Sequence, residues 1–229
     1  MIMKRLLLIL LCFPMIGFGQ DNSSDSAISF SYYIDGMINF DLRKDYNAAI
    51  IDITKAIKKG ESSEKVFSTD RAKKAILKDY YKNRGKAYYK TEQWENAIND
   101  FCAYFALHTK YWSLKADDYF YRGMAYFYND DYKLAISDFN KSLKLKLDPN
   151  CISNRGLCHM LNEDYPMAII DFTTMIEVYG QSDFRELRGK CNLMINKYHS
   201  SISDFTEILK IKNDSEILYL RGCAYAMLG

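Results

Sequence analysis

One motif, written several times, constrains this chain more than any other feature. RGMAYFYNDDYKLAISDF, from Arg122 to Phe139, recurs as RGKAYYKTEQWENAINDF from Arg84, RGLCHMLNEDYPMAIIDF from Arg155 and RGKCNLMINKYHSSISDF from Arg188. A broken copy begins at Arg221 and a degenerate one, GMINFDLRKDYNAAIIDI, at Gly36. Successive glycines Gly85, Gly123, Gly156, Gly189 and Gly222 are 38, 33, 33 and 33 residues apart. A period in that range is the signature of a solenoid, in which each unit buries its apolar face against the next.

Within one copy, Tyr119, Phe120, Met124, Tyr126 and Phe127 fall at helical spacing, not at the alternation of a strand. The arm breaks at Asn129-Asp130-Asp131, where Asp suits a helix N-cap. A second helix then aligns Tyr132, Ala135, Ile136, Phe139 and Leu143. A mid-helix Gly costs about 1 kcal/mol relative to Ala, so its recurrence implies close helix approach. The expected contacts are Gly85 with Ala97, Gly123 with Ala135 and Gly156 with Ala168. Each copy is therefore expected to be an antiparallel helical hairpin.

At these residues the chain resembles the tetratricopeptide repeat (TPR) family. The matching slots are the small residues Gly85, Gly123, Gly156, Gly189 and Gly222, with a Tyr three later at Tyr88, Tyr126 and Tyr225. They continue with Ala49, Ala97, Ala135 and Ala168, and an aromatic four later at Phe101, Phe139, Phe172 and Phe205. His159, Asn192, Ser201 and Ile53 depart from the pattern. The resemblance implies an all-α, right-handed superhelical solenoid of antiparallel helix pairs, about five full repeats plus one terminal helix. It also implies a non-catalytic scaffold that holds a protein or peptide in a concave groove, with no cofactor. Repeats are expected at about 27–60, 70–112, 113–147, 148–180 and 181–213, with a half-repeat at 214–229.

Ahead of the array, Lys4 and Arg5 precede an apolar run from Leu6 to Phe13, then Pro14 and the small residues Gly17 and Gly19. This reads as a secretory signal peptide over 1–19 followed by a polar linker over 20–26, and it places the mature chain in the cell envelope or outside it. The run is short for a membrane span. Leu11 before Cys12 is not the small residue that lipidation requires. Five cysteines remain after cleavage. Cys158 and Cys191 occupy slots held by Ala87, Ala125 and Ala224 in other copies, and are expected as buried free thiols. Equivalent slots in neighbouring repeats lie roughly 8–10 Å apart, beyond disulfide reach.

Without Lys4 and Arg5 the chain has 29 basic and 29 acidic residues, a balance that disfavours nucleic acid as a partner. From Lys55 to Lys90, however, twelve basic residues face four acidic ones, a patch suited to an acidic partner or an anionic membrane. Two insertions interrupt the period: Gly60 to Ser63 with Ser68-Thr69-Asp70, read as a loop and helix start, and a shorter one around His108 to Ser113.

Arg precedes Gly at 84, 122, 155, 188 and 221, and Asp precedes the aromatic or Ile at 52, 100, 138, 171 and 204. Pairing each Asp with the Arg of the next copy leaves none unmatched, which predicts an inter-repeat ladder: Asp52–Arg84, Asp100–Arg122, Asp138–Arg155, Asp171–Arg188 and Asp204–Arg221. Exposed pairs of this kind contribute only about 0 to 1 kcal/mol each, so the ladder's expected role is stacking register. Recurrence in every copy argues against a catalytic role for these Asp residues. His108, His159 and His199 are scattered and form no HExxH or Cys-His metal spacing.

Carried over slot by slot, the resemblance places these groove residues on first helices: Lys82, Lys86, Tyr89 and Lys90; Phe120, Met124, Phe127 and Tyr128; Ser153, Leu157, Met160 and Leu161; Glu186, Lys190, Leu193 and Met194. Such a groove suits a peptide with apolar anchors and acidic flanks. The alternative is that Phe127, Leu157 and Met160 pack between neighbouring helices. Asp214 to Leu228 supplies only a first helix, with Leu218, Tyr219, Tyr225 and Met227 lacking a cover. A second reading is therefore a structural segment that assembles through this end, as an oligomer or within a larger protein.

Overall fold

The computed structural model describes residues 24–62, 70–108 and 114–229, so the signal-peptide reading over 1–19 lies outside the described residues, as do 63–69 and 109–113. Among the described residues the secondary structure is helical throughout: α1 Ser24–Ile38, continued by a π-helical segment Asn39–Arg43, α2 Tyr46–Ser62, α3 Asp70–Lys90, α4 Trp94–Ala106, α5 Ala116–Tyr128, α6 Tyr132–Leu145, α7 Pro149–Leu161, α8 Tyr165–Glu177, α9 Phe184–Met194, α10 Tyr198–Leu209 and α11 Ser215–Leu228. The helices group into two compact units, one up to Leu114 and one from Lys115 to Gly229.

In each unit consecutive helices pack against one another. In the second unit, first helices also touch the next first helix, α5 with α7 and α9 with α11. The odd-numbered helices α5 to α11 thus form one layer and α6, α8 and α10 the other.

In the first hairpin Asp45 caps α2, its carboxylate accepting from Ala48 N–H at 2.9 Å, whereas the later hairpin turns are closed by the backbone. Glu92, Asp130, Glu163 and Asn196 occupy one slot in successive copies and have φ of 59°, 62°, 61° and 61°. The next residue donates its N–H across the turn: Gln93 to Tyr88 O at 2.9 Å, Asp131 to Tyr126 O at 2.9 Å, Asp164 to His159 O at 2.8 Å and Lys197 to Asn192 O at 2.8 Å. This is the Schellman closure, which satisfies carbonyls that the helix end would otherwise leave unpaired. Asp131 makes no side-chain cap bond. Asp148 and Asp214, which follow the links between hairpins, do cap their helices.

The repeated glycines allow close approach, and the side chain that fills the space they leave is an aromatic ring. A Cβ at Gly123 would meet the Phe139 ring at 2.9 Å and Asp138 Cβ at 3.4 Å; at Gly189 it would meet the Phe205 ring at 2.7 Å. Gly85 and Gly156 face Phe101 and Phe172 in the same way. The space above the bare Cα is filled by the aromatic ring, while Ala97, Ala135 and Ala168, the expected neighbours, are fully buried. The Ala slot lies beside the glycine's carbonyl, as Ser201 shows by donating to Gly189 O at 2.9 Å. Phe101, Phe139, Phe172 and Phe205 are fully buried by this arrangement. Each ring so placed contributes about 1.5–3 kcal/mol of transfer free energy.

The degenerate first copy has a shifted register. Aligning this copy with the others puts Met37 in the glycine slot, but Gly36 takes the close-approach position, since its Cβ would lie 2.6 Å from Ile53 Cγ1 and 3.3 Å from Ala49 O. The extra residue this requires is absorbed by the π-helical segment, a known way of accommodating an insertion without breaking a helix. Gly60 to Ser62 belong to α2 rather than to a loop. Gly60 is buried there, its missing Cβ making room for Leu77 Cδ2 at 3.2 Å and Ser29 Oγ at 3.5 Å. The core of this unit joins Ile53, Ala56, Ile57, Leu77 and Tyr80, with Tyr33 stacked on Tyr80 at 4.4 Å.

Candidate functional site: the first-helix layer

The Arg–Asp pairs show how each hairpin is locked. Arg84 Nε and Nη2 donate to the two carboxylate oxygens of Asp100, both at 2.7 Å. Arg122 holds Asp138 at 2.6 and 2.9 Å, Arg155 holds Asp171 at 2.9 and 2.6 Å, and Arg188 holds Asp204 at 2.9 and 2.6 Å. The inter-repeat ladder Asp52–Arg84, Asp100–Arg122, Asp138–Arg155, Asp171–Arg188 and Asp204–Arg221 is therefore corrected: the pairs close within a hairpin. The cause is the glycine. Arg precedes the bare Cα and Asp precedes the ring that fills it, so the close approach sets guanidinium beside carboxylate in the bidentate geometry.

The register role passes to the remaining arginine nitrogen. Arg155 Nη1 donates to Asn140 Oδ1 of the preceding hairpin at 2.7 Å, Arg188 Nη1 to Thr173 Oγ1 at 3.1 Å and Arg221 Nη1 to Thr206 Oγ1 at 3.4 Å. In the first unit Arg84 reaches Thr54 Oγ1 at 3.1 Å. These Thr and Asn residues went unnoticed in the sequence, although each stands two positions after its repeat's Asp. Asp52 has no arginine and is held by Asn39 Nδ2 at 2.9 Å and Lys55 Nζ at 3.1 Å.

Hydrogen bonding to the Asp carboxylates, opposed by burial, raises the Arg155 and Arg188 pKa values above the ordinary range. For the Arg84–Asp100 pair, burial outweighs the guanidinium and pushes the Asp100 carboxyl upward. Burial also pushes the Cys151 and Cys191 thiols up to about 11 and Cys158 to about 12. Cys158 and Cys191 are fully buried thiols in no disulfide, at the Ala slots expected.

The groove residues divide sharply. Met124, at 7% exposure, belongs to the core. Leu157 and Met160 pack against the cluster of Ala168, Phe172 and Cys191. Phe120 lies 5.9 Å from Phe139, and Phe127 lies between Tyr128 at 5.1 Å and Tyr132 at 6.1 Å. These positions brace the helices. Ser153, Glu186 and Leu193 are half-buried.

The open positions are instead the last turns of the first helices. Tyr128, Leu161, Met194 and Met227 are 46, 46, 60 and 63% exposed, and successive members stand 33 residues apart. One apolar side chain per first helix thus forms a row along the layer. Met227 belongs to it by the same spacing and was missed as a groove residue.

Lys190 is drawn into the layer by Glu186 at 2.8 Å and Glu216 at 2.9 Å, which ties α9 to α11. In the first unit Lys82 Nζ lies over the Tyr104 ring at 5.2 Å and Lys90 over Tyr89 at 6.0 Å. Tyr89 meets Trp94 edge-on at 5.4 Å, and Lys86 is half-buried. Among the described residues no group of three His, Cys, Asp or Glu side chains is arranged to hold a metal ion, and no described helix is long and apolar enough to cross a membrane.

Stacked helical hairpins with a bare glycine under each phenylalanine define a helical-repeat protein. Residues 116–151 match the model of the tetratricopeptide repeat family, and helical hairpins of the same kind precede and follow them in the sequence. Among solved structures it is similar to YrrB, described as a TPR protein with an unusual peptide-binding site: 15% identity, TM-score 0.65, covering 82% of this chain and 89% of that one. It is also similar to MamA (18% identity, TM-score 0.60, 76% and 92% covered) and to a TPR protein from Parabacteroides merdae ATCC 43184 (19% identity, TM-score 0.61, 89% and 74% covered). At such identities the likeness is one of fold. No curated protein matches the sequence.

Proposed function

We propose that this protein is a non-catalytic scaffold of the cell envelope that holds a peptide segment along the first-helix layer of residues 115–229. The observation that carries this reading is the exposed apolar row Tyr128, Leu161, Met194 and Met227. Packed helices lie roughly 8–10 Å apart, and an extended chain in the polyproline-II conformation, with about 3 residues per turn and about 3.1 Å per residue, returns a side chain to the same face every ~9 Å. The segment that fits is therefore extended, with an apolar side chain at every third position. YrrB, described with a peptide-binding site, supports the reading by analogy of fold. Lys82, Lys86 and Lys90 offer a separate basic surface on α3 for acidic flanks of a partner. Lys4, Arg5 and the apolar run from Leu6 to Phe13 support export.

Selection of extended twelve-residue peptides against the purified chain tests the groove. The expected binders carry apolar residues three apart and lose at least tenfold in affinity for Tyr128→Ser and Met194→Ser proteins with unchanged thermal unfolding. Binders indifferent to both substitutions would refute the row as the site. Met124→Ser, in the core, lowers stability instead, by about 2–4 kcal/mol.

A further inference from the structure

We infer that the segment docked along Tyr128, Leu161 and Met194 is cationic as well as apolar, with basic side chains beside the anchors seated at Tyr128 and Leu161. This rests on the apolar row as the docking site and adds the charge of its occupant. Each of the three row residues ends a first helix, and the second and third residues after it close the hairpin turn. After Tyr128 these are Asp130 and Asp131, after Leu161 they are Glu163 and Asp164, and after Met194 they are Asn196 and Lys197. Asp130, Asp131 and Glu163 are exposed, and the Asp164 side chain is 41% exposed. Asp130 accepts from the Tyr132 hydroxyl at 2.6 Å and Asp131 from Asn129 Nδ2 at 2.8 Å, while His159 Nδ1 lies 3.1 Å from Asp164. Among the described residues no lysine or arginine forms an ion pair with any of these four carboxylates.

Charge chooses the occupant. Across 128–133 and 161–166 four carboxylates stand against one basic residue, Lys133. Tyr128 and Leu161 also end their helices, where the helix dipole is itself negative. An acidic segment laid over these two residues brings like charges together, whereas a basic one meets carboxylates that no lysine or arginine of the fold has claimed. At Met194 the sign changes: Lys197 is exposed, and Lys190 is already bridged to Glu186 and Glu216. Without Lys4 and Arg5 the whole chain balances at 29 basic and 29 acidic residues, so the selection belongs to this row and not to net charge.

Three labelled twelve-residue peptides, four repeats each of Leu-Pro-Lys, Leu-Pro-Gln and Leu-Pro-Glu, are the probes. Proline keeps them extended, with a leucine at every third position. Fluorescence anisotropy against the full chain reads their binding in about 20 mM and about 500 mM salt, the second of which screens exposed charges. At low salt the Lys peptide is expected to bind at least tenfold more tightly than the Gln peptide, and the Glu peptide more weakly than either. High salt removes the preference. So do Asp130→Asn, Asp131→Asn and Glu163→Gln combined, with unchanged melting, while Tyr128→Ser weakens all three peptides. Equal binding of the Lys and Gln peptides, with Tyr128→Ser still weakening both, overturns the cationic occupant and leaves the row standing. A Lys preference that survives the amide substitutions, or tighter binding of the Glu peptide, overturns it too. Peptides that do not bind, or that ignore Tyr128→Ser, remove the row and this inference with it.

Discussion

At the residue scale the repeated glycine has two opposite meanings, set by its neighbour. In Gly189→Ala the new methyl would sit 2.7 Å from the Phe205 ring, which is fully buried and cannot give way. The strain, about 1–3 kcal/mol, exceeds the gain in helix propensity of about 1 kcal/mol. Urea unfolding is expected to show net destabilisation. Gly222→Ala meets open space, so the same measurement should show stabilisation of about 0.5–1 kcal/mol. The buried thiols give a pH signature. Their folded pKa values of about 11 to 12 exceed the ordinary thiol value of 9.0, so between these values the unfolded chain has released protons that the folded one retains. Stability is thus full below pH 9 and falls as pH rises towards 11 to 12. Melting temperature followed from pH 8 to 11 should drop, and drop less in Cys158→Ala, whose slot is Ala in other copies.

At the scale of the element, the hairpin is fixed at both ends by features of different legibility. Its turn is closed by a residue in the left-handed region, a conformation costing a non-glycine about 1 kcal/mol. Glu163→Gly is therefore expected to raise stability by up to that amount, seen as a higher urea midpoint with unchanged slope. Its middle is clamped by Arg–Asp. Asp171→Ala leaves Arg155 largely buried without its carboxylate and is expected to cost on the order of 2–3 kcal/mol in chemical denaturation. The recurrence of Arg and Asp was plain in the sequence, but their pairing was not. Counting partners favoured the next copy, whereas a Cα bare enough to admit Phe139 brings Arg122 and Asp138 of the same hairpin together. Likewise the Asp-rich turn 129–131 looked like a cap, and became a Schellman closure because Asp131 N–H finds Tyr126 O first.

At the scale of the whole molecule, residues 115–229 contain three complete hairpins and α11, the number at which helical repeats become self-supporting. A fragment of Lys115–Gly229 is expected to fold alone, with a helical circular dichroism spectrum and one cooperative melt; a spectrum of unordered chain would contradict this. The helices and their pairing were readable because periodicity and repetition are properties of the chain itself. Which first-helix residues face outward was not, since Met124 and Tyr128 stand four positions apart on one helix and differ only in whether a neighbouring helix covers them. By itself the sequence determined a stack of helical hairpins, through apolar spacing and a glycine kept at one slot. The tertiary structure alone decided which arginine meets which aspartate, and which apolar side chains stay exposed. Those outcomes depend on how closely two helices approach, a distance set by the atoms packed between them and not by the order of residues along either one.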